Sequence, residues 1–266
     1  MIHLKSKDEI ERIRECGVCS AELFKYLEDY TKEGITTKEL DRISEDFIIK
    51  KGFKPSFKGY MGYPSSICAS VNEEIIHGLP CSRKLKSGDI VGIDVGIQKK
   101  GYISDSARTY AIGNISPNHK KLLKRTESFL YLAIMKIKAM IEINDISGTI
   151  EDLTRKYKYG VVYDYCGHGV GYKNHEEPEI PNYRFPAGKR RLKAGTVIAI
   201  EPMINMGEDG QFVLDDGWTV VTIDGAYSAH FENTVAVTDN GFDILTIIPD
   251  DLKSILQKYS KGVVED

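Results

Sequence analysis

The chain has 266 residues, 41% of them apolar and 28% charged, with a net charge of -3 and a pI near 6.1. That is room for one large domain or two small ones, and the charge balance leaves no electrostatic footprint for nucleic acid or an anionic membrane. The most apolar stretch, "FLYLAIMKIKAMIEI" (129–143), is broken by Lys136 and Lys138; it is too short and too charged to span a bilayer and reads as a buried amphipathic helix.

The N-terminus, "MIHLKSKDEIERIREC", is polar and helical in pattern, unlike a secretory signal. Residues 7–30 and 37–51 read as helices, the second capped by Thr36 or Thr37 with Glu39 or Leu40 following. Five cysteines, an odd number, imply reduced thiols in a cytoplasm-like compartment. The "CGVC" pair, Cys16 and Cys19, lies inside the first helical run and reads as helix packing, not a redox or zinc site. Residues 56–80, rich in Gly, Pro and aromatics, read as a loop with one short strand, and 90–98 with 101–112 as a hairpin. A helix started by Pro117 runs over 117–140, and a second spans 145–158. Short strands alternate with Gly/Pro-rich loops from 162 to 237, and 249–260 is a terminal helix. Nothing resembles a linker, so the reading is a single α+β domain over 1–266 with a C-terminal tail at 249–266.

The hairpin raises a problem. If its turn centres on Lys99 and Lys100, Asp94 and Asp105 face each other directly, and like charges opposed on a sheet are destabilising. The segments "KSGDIVGID" (86–94) and "KAGTVIAIE" (193–201) match as Lys-x-Gly-x-apolar-apolar-x-Ile-acid, and each acid has a later partner, Asp105 for the first and Glu232 for the second. This pattern predicts an internal duplication, with halves at approximately 1–115 and 116–248, that brings four carboxylates to one centre. Buried together they would repel and take up protons. Bound divalent cations resolve the conflict, since a bridging carboxylate can hold two ions ~3.5–4 Å apart.

Of six histidines, His77, His168 and His175 lie in loops rich in glycine or proline. His168 stands between Gly167 and Gly169, which removes bulk and allows close approach of the ring to a metal. Imidazole widens the choice of ion to manganese, iron, cobalt or zinc.

Taken together, "VNEEIIHGLP", "GIDVG", "ISDSART", "YCGHGVGYKNHEEP", "IAIEPM" and "AHFENT" resemble, in order, the motifs of type I methionine aminopeptidases, over roughly residues 1–247. The resemblance implies the pita-bread fold, two pseudo-symmetric halves around a dinuclear metal site. It implies Asp94, Asp105, His168, Glu201 and Glu232 as ligands of two divalent ions, with Asp105 and Glu232 bridging. Glu201 would serve as general base, His175 would donate to the developing oxyanion, and His77 would bond the scissile amide or the backbone beyond it. Tyr60, Tyr63, Cys68 and Trp218 would line the pocket for the first side chain; Asn174 and Phe57 depart from the pattern of many relatives beside it. A monovalent cation would sit near Asn72 and Ser228. The implied reaction is removal of N-terminal methionine from nascent chains with a small second residue, by a cytoplasmic monomer acting at the ribosome, without nucleic acid or membrane as partner. Two rival readings remain: an Xaa-Pro aminopeptidase or dipeptidase on the same fold, and a non-catalytic binding protein that has lost its ligands.

Overall fold

The computed structural model describes residues 1–264. Its frame is a nine-stranded sheet. In chain order the strands are β1 (Lys54–Pro55), β2 (Cys68–Val71), β3 (Ile90–Lys99), β4 (Tyr102–Ala111), β5 (Gly167–Gly169), β6 (Glu176–Ile180), β7 (Val197–Ile200), β8 (Glu232–Thr238) and β9 (Gly241–Ile244). Their spatial order is β1-β3-β4-β8-β7-β5-β6, with β2 beside β3 and β9 beside β8. The helices are α1 (Lys7–Leu27), α2 (Thr37–Lys50), α3 (Pro117–Ile134), α4 (Ile143–Lys156) and α5 (Leu252–Tyr259).

Alternation on β3 decides which side of the sheet is core. Val91, Ile93, Val95 and Ile97 are buried in one cluster with Cys16, Leu23 and Leu27 of α1 and Leu40 and Ile48 of α2. Successive strand side chains point to opposite faces, so Asp94 faces away from these helices. Both helices begin at capping boxes: Ser6 with Glu9, and Thr36, not Thr37, with Glu39. Cys16 and Cys19 are buried on α1, and burial pushes both thiols up to about 12. They are packing residues.

The β3–β4 turn lies one position later than the lysine pair suggests. Lys100 and Gly101 are its centre, with φ of 49° and 85°, and Lys99 pairs with Tyr102. A two-residue hairpin turn of this kind needs two left-handed residues, and Gly101 accepts that conformation without steric cost. Asp94 therefore pairs with Ala107, and Asp105 with Gly96. Moving the turn by one residue shifts each partner by two. The aspartates stay on one face but sit diagonally, not directly opposed.

Three further boundaries differ. The segment 56–80 carries two short strands, β2 and Glu74–Ile76, not one. The helix from Pro117 stops at Ile134, because Met140 N–H donates to Leu192 O and Leu192 N–H to Ile141 O; these tertiary bonds take the backbone groups that a longer helix would use, while Ile137 and Ile141 stay buried. Helix α4 starts at Ile143, capped by Glu142 and Asp145. The C-terminal segment forms a short turn at Pro249–Asp251 and then α5, whose Tyr259 stacks on Tyr131 at 4.6 Å. Residues 265 and 266 of the expected tail lie outside the described residues. No helix among the described residues is long and apolar enough to cross a membrane.

Candidate active site

The acids form a row across the sheet. Asp94 on β3 pairs with Ala107 on β4, and Ala107 pairs with Glu232 on β8. Asn233 pairs with Ile200 on β7, so Glu201 follows in the same register beside Glu232. Asp105 lies two residues along β4 from Ala107, on the same face. The methyl group of Ala107 at the centre of the row leaves space between the longer acids. Asp105 is further fixed by Thr234: its N–H donates to the Thr234 hydroxyl (2.9 Å), which donates to the Asp105 carbonyl (2.7 Å).

His168 on β5 completes the set. Its Nδ1 lies 2.9 Å from the Gly169 carbonyl, so the N–H belongs on Nδ1 and the Nε2 lone pair is free. Nε2 lies 3.4 Å from Glu201 Oε1 and 4.0 Å from Asp105 Oδ2. The flanking glycines have a different purpose from ring access. A Cβ at Gly167 would meet the Ala199 carbonyl at 2.4 Å, and one at Gly169 the Glu177 carbonyl at 2.3 Å. Glycine here lets β5 run close between its neighbours, and that places His168.

The loop from β5 to β6 is held by a buried ion pair, Lys5 Nζ to Glu176 Oε2 at 2.6 Å, with side chains 1% and 4% exposed. The other Glu176 oxygen accepts from Tyr172 N–H and Lys173 N–H. This brings the His175 ring to 4.2 Å from that of His168 and its Nδ1 to 3.1 Å from Tyr60 Oη. His77 has a left-handed backbone (φ 58°) and is followed by Gly78, where a Cβ would strike the Ala69 carbonyl at 2.6 Å. Its ring meets Tyr165 edge-on at 5.7 Å.

These side chains line one cleft of about 300 Å³, which contains Asp94, Asp105, His168, Glu201 and Glu232 together with His77, His175, Tyr60, Tyr63, Cys68 and Trp218. One end is apolar: Phe57, Tyr63 and Cys68 cluster with Trp218, whose ring stands edge-on to Tyr63 at 5.0 Å. Asn174 is outside this lining and donates from Nδ2 to the Ser56 carbonyl at 3.1 Å. Asn72 and Ser228 are away from the cleft; the Asn72 carbonyl accepts from Ser228 N–H (2.8 Å), and the Asn72 side chain bonds Asp89 and Ile90.

Burial raises every acid of the row. It takes Asp105 to about 7 and lifts Asp94, Glu201 and Glu232 well above the usual carboxylate range, where neighbouring carboxylates raise them further. Burial also lowers His77 to about 4 and His168 to about 3, which keeps both rings neutral. Asp94 Oδ1, Asp105 Oδ1 and Glu232 Oε1 are buried without hydrogen-bond partners. Ligand atoms of Asp105, His168 and Glu232 all lie within 4.8 Å of one another. Unsatisfied carboxylate oxygens converging with a neutral imidazole are the donor set that a divalent transition ion requires.

The sequence reading passed over several lining residues, Met61, Ile76, Asp164, Tyr165 and Cys166 among them. It also passed over His230, 3.8 Å from both Glu201 Oε2 and Glu232 Oε2. The signal was present, since a residue two before Glu232 in an extended segment shares its face.

A model of metallopeptidase family M24 matches residues 11–239. The chain is 49% identical to the methionine aminopeptidase of Clostridium perfringens over 93% of this chain and 100% of that protein. It is 50% identical to methionine aminopeptidase 1 of Bacillus subtilis, over 92% and 99% of the two chains. The crystal structure of the Thermotoga maritima methionine aminopeptidase superposes with a TM-score of 0.91 at 40% identity, covering 93% of this chain and 100% of that one.

Proposed function

The chain belongs to metallopeptidase family M24, and from its identity with methionine aminopeptidases over nearly its whole length we propose that its cleft removes N-terminal methionine from polypeptides with a small second residue. It is a metal-dependent hydrolase of the aminopeptidase class, with a mixed helix and strand architecture of the pita-bread type. The observation that carries the reading is the row of Asp94, Glu232 and Glu201, with Asp105 and His168 beside it, opening into a cleft with an apolar end.

Asp94, Asp105, His168, Glu201 and Glu232 would hold two divalent ions, cobalt, manganese, iron or zinc, with Asp105 and Glu232 common to both. Bound there, such ions supply Lewis acidity and lower the pKa of water toward neutrality. The remaining work falls to side chains. Glu201 takes a proton from the attacking water and passes it to the departing amine. The Tyr60 hydroxyl at His175 Nδ1 leaves Nε2–H as the donor for the developing oxyanion. His77, held in its strained backbone, bonds the scissile amide or the backbone beyond it. Tyr60, Tyr63, Cys68 and Trp218 would line the pocket for the methionine side chain, with Phe57 beside them. Carbonyls near Asn72 and Ser228 would hold a monovalent cation. The substrates are N-termini of nascent polypeptides, met at the ribosome in the cytoplasm by a monomer built from two duplicated halves.

The test is hydrolysis of Met-Ala-Ser by metal-stripped protein, titrated anaerobically with manganese, iron, cobalt and zinc, beside Met-Arg, Leu-Ala and x-Pro peptides. Metal-dependent release of methionine from Met-Ala-Ser alone is the expected result. Comparable turnover of Met-Arg or Leu-Ala peptides would overturn the specificity, and preference for x-Pro peptides would overturn the assignment.

A further inference from the structure

Beside the acids, outside the cleft lining, stands one imidazole for which the reaction above has no use. His230 ends the short strand Ser228–His230 and is 3% exposed. Its backbone is pinned to Thr109, whose hydroxyl accepts from His230 N–H at 3.1 Å and donates to its carbonyl at 2.7 Å. Nε2 is buried without a hydrogen-bond partner.

Glu201 stands between two imidazoles. Its Oε1 lies 3.4 Å from His168 Nε2, and its Oε2 lies 3.8 Å from His230 Nε2. The two rings are not equivalent. His168 spends its N–H on the Gly169 carbonyl and turns a lone pair toward the acids. Around His230 Nε2 the nearby polar atoms are carboxylate oxygens, which favour the tautomer with the proton on Nε2. At 3.8 Å neither contact is yet a hydrogen bond; a side-chain adjustment of about 1 Å closes one, as catalytic contacts commonly tighten in the working complex. Glu232 is equally near, but in the reading above it would be common to both ions, and each of its oxygens would face one. Glu201, with Oε1 at the His168 side, has Oε2 to spare.

We propose that His230 is a positioning residue of the metal centre, donating Nε2–H to Glu201 Oε2 and thereby turning Glu201 so that Oε1 stays beside His168. The inference rests on the metallopeptidase reading. It gives His230 a function through Glu201, without contact to ion or substrate.

Three variants test it. His230→Gln keeps an N–H donor of similar reach, His230→Leu keeps bulk without a donor, and His230→Asn has a donor too short to reach and replaces the leucine variant if that one unfolds. The readouts are calorimetric titration with Co²⁺ alone, the visible spectrum of the cobalt-loaded protein, and kcat and KM on Met-Ala-Ser. Loss of a partner that orients a metal ligand typically costs 10–100-fold in metal affinity or activity. His230→Leu should therefore lose roughly 10–100-fold in Co²⁺ affinity and kcat, with KM little changed. His230→Gln should restore both and keep the wild-type cobalt spectrum. A glutamine variant as impaired as the leucine variant overturns the proposal, and so does a leucine variant like wild type. A changed cobalt spectrum in His230→Gln overturns it in favour of direct ligation by His230. Wild-type protein that binds no stoichiometric Co²⁺ and leaves Met-Ala-Ser intact overturns the metallopeptidase reading itself, and the proposal with it.

Discussion

Replacing Gly169 by alanine should damage the metal centre without touching a ligand. The added Cβ would lie 2.3 Å from the Glu177 carbonyl oxygen, 2.7 Å from its carbon and 3.0 Å from the Glu176 carbonyl oxygen. All three are backbone atoms of β6, so no side chain can swing aside. Ordinary contact requires β5 and β6 to separate by roughly 1 Å. Overpacking of this kind costs about 1–3 kcal/mol, and each kcal/mol lowers Tm by about 2–4 °C in a protein of this size. His168 precedes Gly169, and His175 precedes β6. A displacement of about 1 Å at a reacting group can cost on the order of 10²-fold in rate. The control is Gly241→Ala at the start of β9, where nothing lies within 4 Å of an added Cβ; it should be neutral or stabilise by up to about 1 kcal/mol. The assay is calorimetric melting of metal-free protein, followed by titration with Co²⁺. If Gly169→Ala melts with the Gly241→Ala control and binds Co²⁺ like wild type, the close approach of β5 to β6 does not hold His168 in place.

Asp105→Asn should lose tight binding of at least one ion, because its carboxyl adjoins both Asp94 and the His168–Glu232 group; retention of two ions by elemental analysis, with near-normal rate, would show that it does not bridge. His168→Ala should lose metal affinity and regain part of its rate with added metal. His175→Ala should keep its metals and lose roughly 10²–10³-fold in kcat with KM little changed, and metal loss from the second variant instead of the first would reverse the roles. Removal of metal should destabilise more at pH 8 than at pH 5. The raised carboxyls, Asp105 at about 7 against an ordinary 3.8, contribute stability that is present below their unfolded values and lost as pH rises through the folded ones, and bound cations cancel that loss. The depressed rings of His77, at about 4, and His168, at about 3, contribute stability above pH ~6.5 that is lost as pH falls through those values, and a melting-temperature gap with and without chelator that fails to widen from pH 5 to pH 8 would refute this account.

The chemistry of this protein was legible locally, and its placement was not. Acids embedded in apolar runs, "GIDVG" and "VIAIEPM", already marked buried carboxylates in need of a cation, because no solvated charge is surrounded that way. Capping residues and alternation located α1, α2, β3 and β4 to within a few residues, since those signals depend on near neighbours alone. The β3–β4 register was misplaced by one turn position, because the choice between Lys99–Lys100 and Lys100–Gly101 depends on which pair bears two left-handed residues. What required the tertiary structure is every relation between distant segments. The pairing of β4 with β8 sets Glu232 beside Ala107, and the Met140–Leu192 bond ends α3 early. The squeeze of β5 between its neighbours is the reason for the glycines around His168. His230 shows the boundary between the two kinds of information. Its alternation with Glu232 is written in the chain, but its position between Glu201 and Glu232 exists only once β7 and β8 lie side by side, because distances between strands are set by sheet pairing and not by residues adjacent in sequence.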